Sequence, residues 1–328
     1  MFEVRSISFV IVMMKQVIIT GASGLVATEL SMRLLADTDY KLYLISTDVS
    51  KIKDRYKAYS DKVVCCSLGT FESLIEDGLT DFDICIHTAF SRSSKGSDIA
   101  ASLEFERTLL AILKKTRLGV FVNISSQSVY GKISEPLWSE DYPVDPDYLY
   151  AMGKYSSEVL TRSMLENTSI RWTNIRLCSV CENARFVRIF VQNALEGKPI
   201  RLTAPDQHCS FIDVRDVASG LVCLIEKSES MVFEPVYNLG ANLVCSIRDI
   251  AQKVKNIGEK RYGIDSLCIE EENSDNHARI GMDSSLFMKT FAWTPSYNMD
   301  DMVTEMYEML KNPQEGEFPI SFKLVYNL

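Results

Sequence analysis

Residues 16–27 read Gln16-Val17-Ile18-Ile19-Thr20-Gly21-Ala22-Ser23-Gly24-Leu25-Val26-Ala27, and this stretch decides the fold. A β-branched apolar run turns on glycine into a segment in which Val26, Leu30 and Leu34 mark one helical face. A strand that feeds a glycine turn opening a helix is an arrangement that binds phosphate. Gly21 suits the tight turn, Gly24 lets backbone approach a pyrophosphate, and small Ala27 lets helix and strand pack closely, with the anion at the helix N-terminus.

Outward from this turn, short runs at 41–45, 62–66, 83–87 and 120–124 are apolar nearly throughout. Such continuity, rather than alternation, predicts parallel strands covered on both faces. Leu103, Leu109, Leu110 and Leu113 place a helix between the last two. The order β-α-β-α predicts the α/β class, with a Rossmann-like doubly wound parallel sheet. Beyond Tyr150 the elements shorten: a helix over 150–165, a strand over 171–176, a helix over 186–195, a Gly197-Lys198-Pro199 turn and a helix after Asp216. A strand over 236–239, a helix from Ser246 and a last helix over 300–310 follow. Met14-Lys15-Gln16 also reads as a start, so 1–13 are expected to be an N-terminal extension. Residues 14–178 are expected to form the dinucleotide-binding domain, and 179–328 a smaller mixed α/β substrate lobe partly interleaved with it, the two meeting over a cleft.

The 328 residues are 46% apolar and 24% charged, which excludes disordered and collagen-like classes. With 44 acidic against 35 basic residues the net charge is −9, the opposite of what a nucleic-acid binder relies on. No run reaches the ~18 apolar residues of a membrane span, so no membrane partner is expected. Nine cysteines, an odd number without framework spacing, read as reduced thiols of a cytoplasmic protein. Cys178 and Cys181 form a CxxC with no second pair, and the chain has three histidines, so no metal site is expected.

Ser125 and Ser126 follow the fifth strand, and Tyr150 and Lys154 stand at i and i+4 on one face of the next helix. A lysine held there can lower a tyrosine pKa from ~10 toward working pH, making the phenol an acid/base beside a hydroxyl or carbonyl. A serine at the neighbouring strand end can hydrogen-bond the same substrate oxygen.

With these features the chain, over 15–310, resembles the extended short-chain dehydrogenase/reductase family of nucleotide-sugar epimerases, dehydratases and reductases, the UDP-galactose 4-epimerase-like enzymes among them. The motifs that carry the resemblance are Thr20-Gly21-x-x-Gly24-x-x-Ala27, Ile86-His87-Thr88-Ala89, Ser125-Ser126-x-x-Val129-Tyr130-Gly131, Tyr150-x-x-x-Lys154, Phe211-Ile212-Asp213-Val214-Arg215-Asp216-Val217-Ala218 and Tyr237-Asn238-Leu239-Gly240. The resemblance implies Ser126 as catalytic hydroxyl, Tyr150 as proton-transferring group and Lys154 as holder of the nicotinamide ribose. It implies NAD(P) as cofactor, bound by Gly21, Ser23, Gly24, Leu25, Val26, Thr47, Asp48, Leu68, His87, Thr88 and Ala89 together with Tyr150 and Lys154. Asp48 near the end of the second strand, with no arginine there, favours NAD. A homodimer through the helices at 103–115 and 150–165 is implied too.

The implied substrate is a nucleotide sugar, contacted by Ser126, Gln127 and Ser179. Cys209 stands where the family usually has a diphosphate arginine, so either Arg185, Arg188, Arg201 or Arg279 substitutes, or the substrate is of another kind. Glu104 stands where an asparagine is usual. Gln127-Ser128 replaces the Asp-Glu pair of 4,6-dehydratases, which disfavours a dehydratase and leaves an epimerase or a reductase. A non-catalytic NAD(P)-binding regulatory protein on the same fold, or a reductase of a non-nucleotide carbonyl substrate, are the alternatives. Asp216 is expected to cap its helix.

Overall fold

The computed structural model describes residues 14–132, 137–272 and 278–311; the extension expected over 1–13 lies outside them. The first half alternates strictly: β1 (Gln16–Thr20), α1 (Leu25–Asp37), β2 (Lys41–Ile45), α2 (Val49–Arg55), β3 (Val63–Cys66), α3 (Leu68–Glu76), β4 (Asp81–His87), α4 (Gly96–Leu113) and β5 (Arg117–Ser126). Then come α5 (Leu149–Leu165), β6 (Arg171–Leu177), β7 (Ser179–Val180), α6 (Arg185–Leu195), β8 (Ile200–Leu202), β9 (His208–Ile212), α7 (Val214–Lys227) and β10 (Val236–Leu239). The chain continues through β11 (Val244–Ser246), α8 (Ile247–Tyr262), β12 (Ile269–Glu271), α9 (Ser285–Phe291) and α10 (Met299–Lys311).

Seven strands form one parallel sheet in the order β10-β6-β5-β4-β1-β2-β3. This is the doubly wound sheet read from the apolar runs. Its strands are buried on both faces for the reason their composition suggested. In β1, Val17 and Ile19 pack with Leu30 and Leu34 of α1 and Val217 and Leu221 of α7, while Ile18 points to the other face with Leu109, Leu110 and Leu165 of α4 and α5. All three β1 residues are fully buried.

The second half contributes strands to three sheets. β10 joins the large sheet beside β6, whereas β7, β9 and β11 form a three-stranded sheet and β8 and β12 a two-stranded one. This mixed layer, with α6, α8 and α10 packed on one another, faces the C-terminal edge of the large sheet. Asp216 does not cap α7. The Asp213 side chain does so, accepting from the Arg215 amide at 2.8 Å. Asp216, buried inside the first turn, accepts from the Ser296 and Tyr297 amides at 2.8 and 3.0 Å and pins the approach to α10. Asn238 has a comparable structural role: it accepts from the Tyr130 phenol and donates to the Trp138 and Asp283 carbonyls, tying β10 to the cleft floor.

Candidate active site

A cleft of about 1340 Å³ opens where β1, β4, β5 and β6 end against the smaller layer. Drug-sized ligands occupy roughly 300–1,000 Å³, so the space suits two ligands end to end. This is the edge at which open α/β sheets bind ligands.

The glycine turn lines one end, with Gly21, Ser23, Gly24, Leu25 and Val26 all on the wall. Gly21 has φ +65, and a Cβ there would stand 2.8 Å from Thr88 Oγ1 and 2.9 Å from the Ala89 backbone. Only glycine lets these loops approach so closely. Gly24 begins α1 without a side-chain cap, so the first helix amides face the cleft and fit a phosphate group. Ser46 and Thr47 continue the wall at the end of β2, and Thr88 and Ala89 do so after β4.

Three residues expected among these contacts stand elsewhere. Asp48 does not line the cleft; its carboxylate caps α2, accepting from the Lys51 amide and the Ser50 hydroxyl. Leu68 opens α3 and packs on the core beneath β3, away from the cleft. His87 is 1% exposed, shares a 2.8 Å hydrogen bond with Thr20 Oγ1 and stacks on Phe105 and Phe121. Burial, then the nearby Lys154, pull its pKa down to about 3, so it is a neutral core residue.

At mid-cleft Ser126, Gln127, Tyr150, Lys154 and Ser179 converge. The Ser126 hydroxyl accepts from the Ser128 amide at 3.2 Å and shares the wall with the Tyr150 phenol. Burial pushes the phenol up, while Ser126 and the cation of Arg92 pull it down. Lys154 stands one helical turn beyond Tyr150 on the same wall. Its buried ammonium donates to the Ile124 carbonyl at 2.8 Å and lies 4.2 Å from the Phe90 ring centroid. Burial lowers its pKa to about 7, against the pull of Glu106 and Glu158. Gln127 donates to Ser179 Oγ at 2.8 Å, while its own Oε1 and the Ser128 hydroxyl, both buried, have no partner among the described residues.

The far end, toward β9, is lined by Ala184, Phe186, Cys209, Phe211 and Ile280. Cys209 therefore does occupy a cleft position, and burial pushes its thiol up to about 11, leaving it uncharged. None of the proposed replacement arginines joins it. Arg185, Arg188 and Arg279 are exposed and not on the wall, and Arg201 pairs with Glu270 at 2.9 Å. The first two stand on the outward face of α6, and Arg279 lies between two lining residues, Ala278 and Ile280. Glu104 also faces out, bonded to Arg107; Asp98, Ala101, Ser102 and Phe105 are the α4 residues on the wall.

Sequence reasoning missed Phe90, Arg92, Trp138 and Tyr148, all on the wall. Tyr148 stacks on Tyr150 with centroids 6.2 Å apart, and Phe90 meets its edge at 6.1 Å. The aromatic run Tyr148-Leu149-Tyr150 was the available signal for the first; the others depend on how loops fold back.

Residues 17–240 match the NAD dependent epimerase/dehydratase family, and the chain belongs to it. Relatives and structural neighbours include nucleotide-sugar epimerases and dehydratases. The chain is 22% identical to the low-salt glycan biosynthesis protein Agl12 of Haloferax volcanii, over 87% of this chain and 95% of that protein. It is 30% identical to a dTDP-glucose 4,6-dehydratase of an Actinoplanes species, over 73% and 76%. The UDP-glucuronic acid 4-epimerase of Bacillus cereus, solved with UDP-glucuronic acid and NAD, superposes with a TM-score of 0.74 at 23% identity, covering 91% of this chain and 99% of that one.

Proposed function

We propose that this chain is an NAD-dependent nucleotide-sugar epimerase or reductase with Tyr150 as its acid/base. The observation that carries the reading is the convergence of Ser126, Tyr150 and Lys154 at mid-cleft, between a phosphate-binding turn and a second compartment. The amides of Gly24 to Val26 and the close-set Gly21 would hold the dinucleotide, and Lys154 its nicotinamide ribose. NAD, when bound, supplies the hydride acceptor and donor. Tyr150 takes the proton from a sugar hydroxyl, or returns it to a ketone, while Ser126 donates to the same oxygen and fixes its position. No cation lines the wall beside Ser46 and Thr47 among the described residues, which favours the unphosphorylated ribose of NAD.

The relatives include 4,6-dehydratases, whose reaction needs an added acid/base pair at a neighbouring carbon. Here Gln127 and Ser128 follow Ser126, and Asp98 is the one carboxylate lining the cleft among the described residues. This supports an epimerase or reductase. Exposed Leu149, Met152 and Val159 on α5 support a homodimer through α4 and α5, and nine free thiols a reducing, cytoplasmic setting.

The test is to denature purified protein, identify released nucleotide, and offer UDP-, GDP-, CDP- and dTDP-sugars while following reduced cofactor. Product without net redox change identifies an epimerase, and stoichiometric NADH consumption a reductase. Tyr150→Phe is expected to lower turnover at least 100-fold, by the ~10²–10⁴ attributed to acid/base catalysis. Undiminished turnover in that variant would refute the reading.

A further inference from the structure

A diphosphate or carboxylate substrate needs a cation, and Cys209 has taken the place of the expected one. Among the described residues the cleft wall carries three: Arg92, Lys132 and Lys154. Two are committed. Lys132 is bonded to Asp147 at 2.6 Å, and Lys154 is buried with its ammonium on the Ile124 carbonyl. Arg92 makes no hydrogen bond or ion pair with any described residue, and its charge reaches the Tyr150 phenol.

The loop that presents Arg92 is braced. The Ser91 amide donates to Ser102 Oγ at 3.0 Å, the Ser93 amide to Ser91 Oγ at 3.2 Å, and the Lys95 amide to Ser93 Oγ at 3.0 Å. Ser102 in turn donates to the Asp98 carbonyl, fastening the loop to the first turns of α4. Serine side chains thus satisfy the backbone of this connection, while its guanidinium is left free at the cleft. An arginine fork on a fixed loop is suited to an oxyanion, which it binds in two parallel hydrogen bonds.

We propose that Arg92 is the residue that recognises the substrate's oxyanion, replacing from the β4–α4 loop the arginine absent at Cys209. This rests on the cleft's being the substrate site of the proposed reaction. It places the anion on the Tyr150 side of the cleft rather than at the apolar end around Phe186 and Phe211. The oxyanion is either the diphosphate of a nucleotide sugar or a carboxylate on the reacting sugar, and binding distinguishes them.

The experiment is calorimetric titration of NAD-loaded wild type, Arg92→Ala and Arg92→Lys with UDP, dTDP, GDP, CDP, UDP-glucose and UDP-glucuronate, at two salt concentrations. Arg92→Ala is expected to weaken binding about tenfold to a hundredfold, with a flatter salt dependence, and Arg92→Lys to recover part of it. Equal weakening for the diphosphates and their sugars assigns the anion to diphosphate; loss confined to UDP-glucuronate assigns it to carboxylate. Unchanged affinity for every probe in Arg92→Ala overturns the proposal, and so does failure of every probe to bind wild type at millimolar concentration. A Tyr150→Phe enzyme with undiminished turnover would instead overturn the reaction assignment, leaving these affinities as they are.

Discussion

Replacing Arg176 by methionine tests the framework that holds the strand end carrying Ser126. Arg176 on β6 and Glu158 on α5 are each 5% exposed and joined by two hydrogen bonds, Nε to Oε1 at 3.0 Å and Nη2 to Oε2 at 2.8 Å. Ser125 Oγ donates to the same Oε1 at 2.5 Å, and the guanidinium lies 4.6 Å from the Tyr130 ring centroid. Ser125 pairs in register with Arg176 and immediately precedes Ser126. Arg176→Met leaves a buried carboxylate with one donor, a loss of about 3–5 kcal/mol when a buried pair is broken from one side. At roughly 2 °C per kcal/mol for a chain of this size, the melting temperature should fall by about 6–10 °C. Glu158→Gln, which leaves the guanidinium buried without its ionic partner, should be destabilised as well. Glu158→Leu with Arg176→Met removes both charges and should recover most of the lost stability. Thermal unfolding at pH 7 reads all four proteins. A fall below about 2 °C for Arg176→Met at pH 7, or a double variant less stable than the single, would refute the reasoning.

Gly21→Ala should abolish retention of dinucleotide, measured as cofactor released on denaturation, because the added methyl collides with Thr88 and the Ala89 backbone at a positive φ. Glu106 is fully buried, accepts from Thr161 Oγ1 at 2.8 Å, and is pushed by burial from 4.5 to about 7. Because its folded pKa is raised, wild-type stability falls as pH rises from 4.5 to about 7, by up to about 3 kcal/mol. Glu106→Gln should flatten that slope in denaturant titrations, and a slope unchanged from wild type would show that Glu106 is not its source. The same variant removes a charge that favours the Lys154 ammonium, so the alkaline limb of turnover should move to lower pH.

The large sheet was readable because each strand is buried on both faces, and burial on both faces writes itself as a short unbroken apolar run. β1 and β2 coincide with their runs, and β10 with 236–239. The strand at 120–124 is longer, Arg117–Ser126, because its polar ends still pair with β4 and β6. Elements with no such pressure were not anticipated. β7, β8, β11 and β12 have two or three residues each, too few for any period, and α2 and α9 have seven. Only Phe211 and Ile212 of β9 fall within the Phe211–Ala218 motif, and its first two residues are partly exposed, so no apolar run marks the strand. The place of β10 in the large sheet is a non-local pairing that no spacing in the chain encodes.

The site divides along the same physical line. Gly21, Gly24, Ser126 and Tyr150 sit at the ends of well-marked elements, so their positions follow from element order and their side chains or bare backbones have one direction available. Lys154 shares the face of Tyr150, as i, i+4 spacing requires, yet its four-carbon stem carries the ammonium to the Ile124 carbonyl, and spacing says nothing of a stem's path. Asp48 is one residue beyond the wall and finds the Lys51 amide first. Charge follows the same logic. A net charge of −9 over the whole chain leaves open what an anion meets in the cleft, where Arg92, Lys132 and Lys154 face a single carboxylate, Asp98, among the described residues. Beyond the Debye length of about 8–10 Å the surface acids are screened, whereas groups sharing a low-dielectric wall are not. An acidic protein can therefore bind anions without a basic surface, provided that a few cations are presented inward and at least one is left unpaired.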